Sequence, residues 1–261
     1  MTRWVQSLGS FVLDRLAYLG RMGLFLVYLL RGIIRPPRKF WSVVKQIHFI
    51  GTKSFFVIGF TAAFTGMVLG LQGYYTLSKF GSEGLLGSGV ALSLIRELGP
   101  VLTALMVTGR AGSAMCAEIG IMRIDEQLDA LECMAIDPYA YLITPKLLAC
   151  LICLPLLTAF CDVVGIWGGY VIGVDLLGVS PGAYLDGVQK SVVWKDVYMG
   201  IVKSLCFAVL MIWICTYKGF YAGIDQGSFG PEEVSRATTN AVVLSSVSIL
   251  AGDYIVTSVL L

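Results

Sequence analysis

Charged residues are scarce in this sequence of 261 residues. Aspartate, glutamate, lysine and arginine make up 14% of it, whereas 57% of the residues are hydrophobic and the mean hydropathy is +0.80. A typical soluble domain is about half apolar and about a quarter charged, so a soluble fold of this length could not bury so much apolar surface. The composition therefore excludes a soluble enzyme, a nucleic-acid-binding protein and a disordered chain, and it indicates a membrane protein.

Residues that usually carry catalysis are also few. The single histidine, His48, lies in the N-terminal part of the chain, and one histidine cannot build a multi-histidine metal site. A membrane hydrolase built on Ser113 would have no base nearby. The sequence contains no GxxxxGK[ST] loop with which to hydrolyse ATP. We therefore expect a chain that is not an enzyme and binds no metal or cofactor of its own.

The seven cysteines do not suggest a disulfide framework, because their number is odd and most lie in apolar runs. Cys150 and Cys153 form a CxxC motif, but the residues around it are Leu, Ile and Ala. A redox or zinc pair needs thiolates in a polar setting. We interpret this pair as small residues on a buried helix.

The few charges are unevenly distributed along the chain. Residues 1–53 contain nine Lys or Arg and one acid, whereas the rest contains ten basic residues and sixteen acids. Such a cationic, amphipathic start is typical of a segment that lies in the membrane interface. After it come five stretches long and apolar enough to cross about 30 Å of hydrocarbon. These five predicted spans are 54–78, 84–109, 147–174, 197–217 and 237–261.

The positions of Lys and Arg predict the orientation of these spans. With the N-terminus in the cytoplasm, cytoplasmic segments contain fourteen basic residues and outer segments contain three. We therefore predict an all-α integral membrane protein with its N-terminus inside and its C-terminus outside. The chain is expected to be a single domain, with an interfacial segment over 1–53 and a five-helix core over 54–261.

Two connections between the spans show helical patterns. The cytoplasmic connection predicts one helix over 118–138, with acids on one side and an apolar face on the other. That face comprises Met122, Leu128, Leu131 and Met134 or Ala135. It would suit docking into a groove on a soluble partner. In the outer connection, 175–196, Ser180 and Pro181 predict the start of a second helix.

Arg96 and Glu97 lie in the middle of the second predicted span. Charges at this depth cost several kcal/mol unless they are paired or hydrated. Neighbouring residues point in different directions on a helix, so these two cannot fully satisfy each other. They either pair with other helices or line a polar cavity. Pro100 removes a backbone donor just after them and frees a carbonyl.

Other charges also fall within predicted spans, at Asp162, Lys203 and Asp253. We expect Lys203 to pair with an acid and hold helices together. Glycines at GxxxG spacing, Gly66 with Gly70 and Gly165 with Gly169, favour close helix packing.

One face of the first predicted span is mainly apolar but includes polar residues. Leu69, Gln72, Thr76 and Phe80 share this face by helical spacing. It would suit contact with an acyl chain close to its head group.

Several motifs in this sequence resemble those of the MlaE/YrbE permease family. They are GMVLGLQG at 66–73, ALSLIRELGP at 91–100, GRAGS at 109–113, AEIG at 117–120, EQL at 126–128 with Asp137-Pro138, and SRATT at 235–239, followed by Asp253. The motifs are long and extend over nearly the whole chain. Asp162 is a charge that the family pattern does not lead us to expect.

The resemblance implies the permease subunit of an ATP-binding-cassette (ABC) transporter in the inner membrane of a Gram-negative envelope. Such a transporter moves phospholipids between that membrane and periplasmic carriers and maintains the lipid asymmetry of the outer membrane. The resemblance also implies a homodimer with three partners. These are an MlaF-like ATPase that uses ATP and Mg²⁺, an MlaB-like STAS protein on the ATPase, and an MlaD-like MCE hexamer on the outer face.

The resemblance places a lipid pocket at the dimer interface, between the first two spans. Its positions are Leu69, Thr76, Leu77, Phe80, Arg96 and Glu97. Helical spacing adds Gln72 and Tyr75 to this group. Docking of the ATPase is expected on the cytoplasmic connection, at Glu126, Leu128, Leu131 and Met134.

Two other functions are compatible with an all-helical membrane chain. One is an ion-coupled secondary carrier that uses Asp162, Lys203 and Glu97 as a proton relay. The absence of an internal repeat speaks against it, because such carriers usually contain one. The other is a scaffold subunit that binds the partners but holds no lipid.

Overall fold

The computed structural model describes residues 2–34, 40–223 and 230–260, and these parts are helical without a strand. We label the helices in chain order. They are α1 (Thr2–Ile34), α2 (Phe40–Phe80), α3 (Glu83–Ile124), α4 (Gln127–Cys133), α5 (Tyr139–Leu176), α6 (Pro181–Ser191), α7 (Trp194–Phe220) and α8 (Pro231–Leu260).

Five of these helices, α2, α3, α5, α7 and α8, are long and apolar enough to cross a membrane. This confirms the all-α membrane fold, and each predicted span lies mainly within one of the five. The direction in which the bundle crosses the membrane stays a prediction. The first spanning helix begins at Phe40, so residues 40–53, assigned above to the interfacial segment, belong to the same helix as the first span.

Helix α1 packs on the bundle through a narrow stripe. Met22, Phe25 and Leu29 are buried, and the indole Nε1 of Trp213 in α7 donates to the Met22 carbonyl at 2.9 Å. The opposite side exposes a row of large apolar side chains. They are Leu13, Leu16, Leu19, Leu24, Val27 and Leu30. An exposed apolar face on a helix that also carries basic residues is typical of a membrane interface.

Glycines let α2 and α5 approach closely. A methyl group on Gly66 would collide with the carbonyl oxygen of Gly165, and one on Gly70 would lie 3.0 Å from the carbonyl oxygen of Gly169. Small residues allow this contact between backbones. The packing role predicted for the GxxxG glycines is therefore confirmed, and it makes these two spans one tightly packed pair.

The outer helix α6 is anchored at its start and on its buried face. The Ser180 hydroxyl accepts a hydrogen bond from the Ala183 N–H at 3.2 Å, as the sequence predicts for a helix start. Tyr184 is fully buried, and its hydroxyl donates to the Ile166 carbonyl at 3.0 Å. Burial raises the pKa of Tyr184 to about 12, and the buried ring with its hydrogen bond anchors α6 on the bundle.

The connection between α3 and α5, predicted to be cytoplasmic, is not the single helix predicted over 118–138. Helix α3 ends at Ile124, Glu126 adopts a left-handed conformation with φ 57°, and α4 follows as a separate short helix. The break allows Leu128 to be fully buried in the bundle. The turn is also bridged by an ion pair of 2.7 Å between Arg123 and Asp129.

The start of the third span also differs from its prediction. The span was predicted from residue 147, whereas α5 begins at Tyr139 with a π-helical segment that leads into regular α-helix at Thr144. The Thr144 hydroxyl donates back to the Tyr139 carbonyl at 3.1 Å instead of capping the helix. Further along α5, Cys150 and Cys153 are buried free thiols, as interpreted from their apolar neighbours.

Candidate functional site

A wide helical turn carries Arg96 and Glu97. Within α3, residues Leu94–Leu98 form a π-helical segment, a feature frequent at functional sites. Two residues beyond it, Pro100 lacks the N–H that would bond to the Arg96 carbonyl in an α-helix. The ammonium of Lys203 in α7 donates to this carbonyl at 2.8 Å. The carbonyl that proline frees is thus satisfied by a side chain from another helix.

Lys203 also joins two carboxylates. Its Nζ lies 2.6 Å from Oε2 of Glu97 in α3 and 2.9 Å from Oδ1 of Asp253 in α8. The Thr257 hydroxyl of α8 donates to Oε1 of Glu97 at 3.4 Å. The expected pairing of Lys203 with an acid is therefore found, and it connects three spanning helices at one point.

Arg96 pairs with a residue that the sequence analysis missed. Its Nε lies 2.8 Å from Oδ1 of Asp196, whose other oxygen accepts from the Val193 N–H at 3.1 Å. Asp196 is the last residue of the predicted outer connection, 175–196, just before the fourth predicted span. Its place as the third residue of α7, three residues after the N-cap Val193, is the signal that could have identified it as a capping acid.

Although paired, both charged side chains of the wide turn remain accessible. The side chain of Arg96 is 41% exposed and that of Glu97 is 42% exposed. Charged groups within a membrane span usually face a bundle interior or a polar cavity, because contact with acyl chains is costly. The pairing alternative raised by the sequence is found, since these charges connect helices, whereas the alternative that they line a polar cavity stays a prediction.

The predicted face of the first span is largely exposed. Gln72, Tyr75, Thr76 and Phe80 are exposed near the C-terminal end of α2. Leu69 and Leu77 are half-buried against an apolar cluster that includes Leu94 of α3. These two leucines bring the face of α2 beside the wide turn of α3. The eight predicted lipid-contacting residues therefore lie in two adjoining segments.

Asp162 does not join the charged network. Its Oδ1 is buried in α5, without a hydrogen-bond partner, directly against the backbone of Gly99. The hydroxyls of Thr103 and Thr158 are buried without a partner as well. No basic side chain in the described ranges forms an ion pair with Asp162. A relay running from Asp162 through Lys203 to Glu97 therefore has no continuous path of ion pairs.

The residues expected to dock an ATPase divide into two groups. Leu128 is fully buried and Leu131 is half-buried, both against the apolar core. Met134 and Glu126 are exposed. Leu128 therefore stabilises α4 by packing into the apolar core. The exposed surface of this connection is formed around Glu126 and Met134.

Comparisons with known proteins match nearly the whole chain. The family model described as permease MlaE matches residues 43–259. The Haemophilus influenzae protein named intermembrane phospholipid transport system permease protein MlaE is 42% identical over 261 residues, which is 100% of this chain and 98% of that protein. A probable ABC transporter permease protein of Rickettsia bellii is 41% identical over 251 residues, 96% of this chain and 95% of its own length.

A more distant relative is a plant protein. The chloroplastic protein TRIGALACTOSYLDIACYLGLYCEROL 1 of Arabidopsis thaliana is 33% identical over 218 residues, 83% of this chain and 61% of that protein. The similarity thus extends from bacterial permeases to a protein of chloroplasts.

Proposed function

Since this chain belongs to the MlaE permease family and is a multi-pass permease of an ABC phospholipid transport system, we propose that two copies of it enclose the lipid between them. The two copies face each other across the outer half of α2 and the wide turn of α3. The cavity between them receives one or more phospholipids. This proposal is carried by the half-exposed charges of Arg96 and Glu97.

These charges support the arrangement because of where they lie. In a single copy surrounded by lipid, Arg96 and Glu97 would present about two-fifths of each side chain to acyl chains. A second copy replaces that contact with a polar, water-accessible space, which removes much of the penalty of several kcal/mol. In the same space, Arg96 and Glu97 lie close to the head group, while Tyr75 and Phe80 offer apolar surface to the acyl chains.

The source of energy is proposed to be a separate chain. This sequence has no phosphate-binding loop, so an MlaF-like ATPase hydrolyses ATP with Mg²⁺ and docks on the cytoplasmic connection. Its contact surface is formed around the exposed residues Glu126 and Met134. An MlaB-like STAS protein binds the ATPase, and an MlaD-like MCE hexamer covers the outer end. The assembly lies in a Gram-negative inner membrane and maintains outer-membrane lipid asymmetry.

Site-specific photo-crosslinking tests the proposed cavity. A photoreactive phenylalanine analogue is introduced at Thr76 in the full chain, and a control is introduced at Val163, which is also exposed but lies on α5. We expect the probe at 76 to capture phospholipid and the second copy, and the probe at 163 to capture membrane lipid without the second copy. Capture of the second copy at 163 and not at 76 would place the interface elsewhere and refute the proposal.

Native mass spectrometry of the detergent-purified assembly tests the composition. We expect two copies of this chain with bound phospholipid and with ATPase subunits. An assembly that contains the partners but never any lipid would instead support the scaffold alternative.

A further inference from the structure

The charges of the network formed by Arg96, Glu97, Asp196, Lys203 and Asp253 do not balance. It contains three carboxylates but only two basic groups. Arg96 and Asp196 form one pair, whereas Lys203 is shared between Glu97 and Asp253. One negative charge is therefore in surplus, within the span where such a charge needs a partner.

The surplus negative charge is concentrated on the solvent-exposed side of the network. Lys203 is fully buried, and the side chain of Asp253 is 20% exposed, about half the exposure of Glu97. Oε2 of Glu97 is held by Lys203 at 2.6 Å, Oε1 receives a weak 3.4 Å contact from Thr257, and the Asp253 carboxyl lies within interaction distance of the Glu97 carboxyl. Oε1 of Glu97 is therefore the oxygen best placed to accept a hydrogen bond from a donor outside the chain.

No nearby basic residue supplies that donor. The groups that contact Glu97 come from α7 and α8, and in the described part of the chain Lys203 is the basic group among them. Lys195 acts on Asp196, but its own side chain is exposed at the outer start of α7. The neutralising charge for Glu97 must therefore come from a ligand or from a proton.

We infer that the network selects phospholipids whose head group carries a primary ammonium, with Glu97 as the residue that determines this specificity. The inference rests on the proposed lipid site. An ammonium donates to Oε1 of Glu97 and neutralises the surplus charge. Arg96 bonds to Asp196 through Nε, so its terminal N–H groups can bind the lipid phosphate. An anionic head group without an amine would add negative charge beside a carboxylate that is already in surplus.

Competitive lipid exchange tests this inference. The purified full-length complex is incubated with vesicles of equal parts phosphatidylethanolamine and phosphatidylglycerol, repurified, and its retained lipids are quantified by mass spectrometry. We expect roughly threefold to fivefold enrichment of phosphatidylethanolamine, which is the upper part of the range for an exposed ion pair. Glu97→Gln should bring the ratio close to that of the vesicles while lipid is still retained.

Matched variants make the outcome specific. Asp253→Asn removes the same surplus charge and leaves Glu97 in place, so it should also abolish the preference, and it serves as the test if Glu97→Gln does not fold. Asp186→Asn, at an exposed acid of α6 paired with Lys190, changes the total charge equally and should leave the preference intact.

The possible failures are distinguishable. Lipid bound by the unaltered protein in the vesicle ratio means that the surplus charge is carried by a proton, and it overturns this inference alone. A preference that persists unchanged in both Glu97→Gln and Asp253→Asn also overturns it. If the unaltered complex retains no lipid at all, the proposed lipid site fails together with the inference.

Discussion

Lys203 donates to the backbone carbonyl of Arg96 at 2.8 Å, and this hydrogen bond replaces the one that Pro100 cannot form in α3. An ammonium has three donors. A second donor is used by Glu97 at 2.6 Å, and Asp253 lies 2.9 Å from the same nitrogen as an ion-pair partner, so this fully buried lysine is held between one carbonyl and two carboxylates. The Lys203 side chain thereby satisfies the free carbonyl of α3 and connects α3 with α7 and α8.

Replacing Lys203 should therefore be strongly destabilising. Lys203→Met keeps the length of the side chain but leaves two carboxylates and a carbonyl without their partner. Removing one member of a buried ion pair costs about 3–5 kcal/mol. We expect a marked fall in the thermal unfolding midpoint of the detergent-purified protein.

The control for this change is Lys190→Met. Lys190 pairs with Asp186 at 3.4 Å on the exposed side of α6, and such surface changes stay within about 0.5 kcal/mol. Equal midpoints for the two variants would mean that the Lys203 network contributes little to stability.

Gly66→Ala should weaken the contact between α2 and α5. The added methyl group meets the backbone oxygen of Gly165, which cannot turn away as a side chain could. Forcing extra volume into such a contact costs about 1–3 kcal/mol. Thermal unfolding measures the effect against Gly89→Ala, where a methyl group would enter open space. The close packing would be disproved if both variants unfolded at the same temperature.

Gly99→Ala should be destabilising for a different reason, because its methyl group would occupy the position of the Asp162 carboxyl oxygen. In an Asp162→Ala background that collision is absent, so the same change should cost less. We expect a coupling of about 1 kcal/mol, within the range for residues in contact. The measurement is a double-mutant cycle of unfolding free energies, and additive effects would show that the two residues do not touch.

The cytoplasmic connection allows docking to be separated from stability. Met134→Asp places a charge on an exposed apolar side chain, so it should release the ATPase while the unfolding midpoint stays unchanged. Leu128→Ala removes buried volume and should cost about 2–5 kcal/mol. Co-purification and unfolding are measured for both variants. An ATPase that still co-purifies with Met134→Asp would exclude Met134 from the docking surface.

Much of the fold follows from the sequence because its strongest signals are local. Long apolar stretches identify the five spanning helices, and Ser180 before Pro181 marks the start of α6. The glycines of α2 and α5 indicate a close contact because a missing side chain has few other uses in a membrane helix.

What the sequence could not predict depends on distant neighbours. The spacing of Leu128 and Leu131 fits a straight helix as well as a broken one, and Glu126 is not a residue type that favours a positive φ. The sequence also gave no basis for choosing among Asp162, Glu97 and Asp253 as partners of Lys203. That choice depends on which helices lie side by side, and it leaves Asp162 alone against Gly99.

The length of α2 has a mechanical consequence. Its 41 residues form one continuous helix with a π-helical segment at His48–Thr52, about 60 Å long and twice the thickness of the hydrocarbon layer. Phe40 and Phe80 therefore lie at opposite ends of one helix. A small tilt imposed at the end near Phe40 displaces Thr76 and Phe80 at the opposite end of the helix. Helix α2 can thus transmit a push across the bilayer directly to the surface that we propose contacts the lipid.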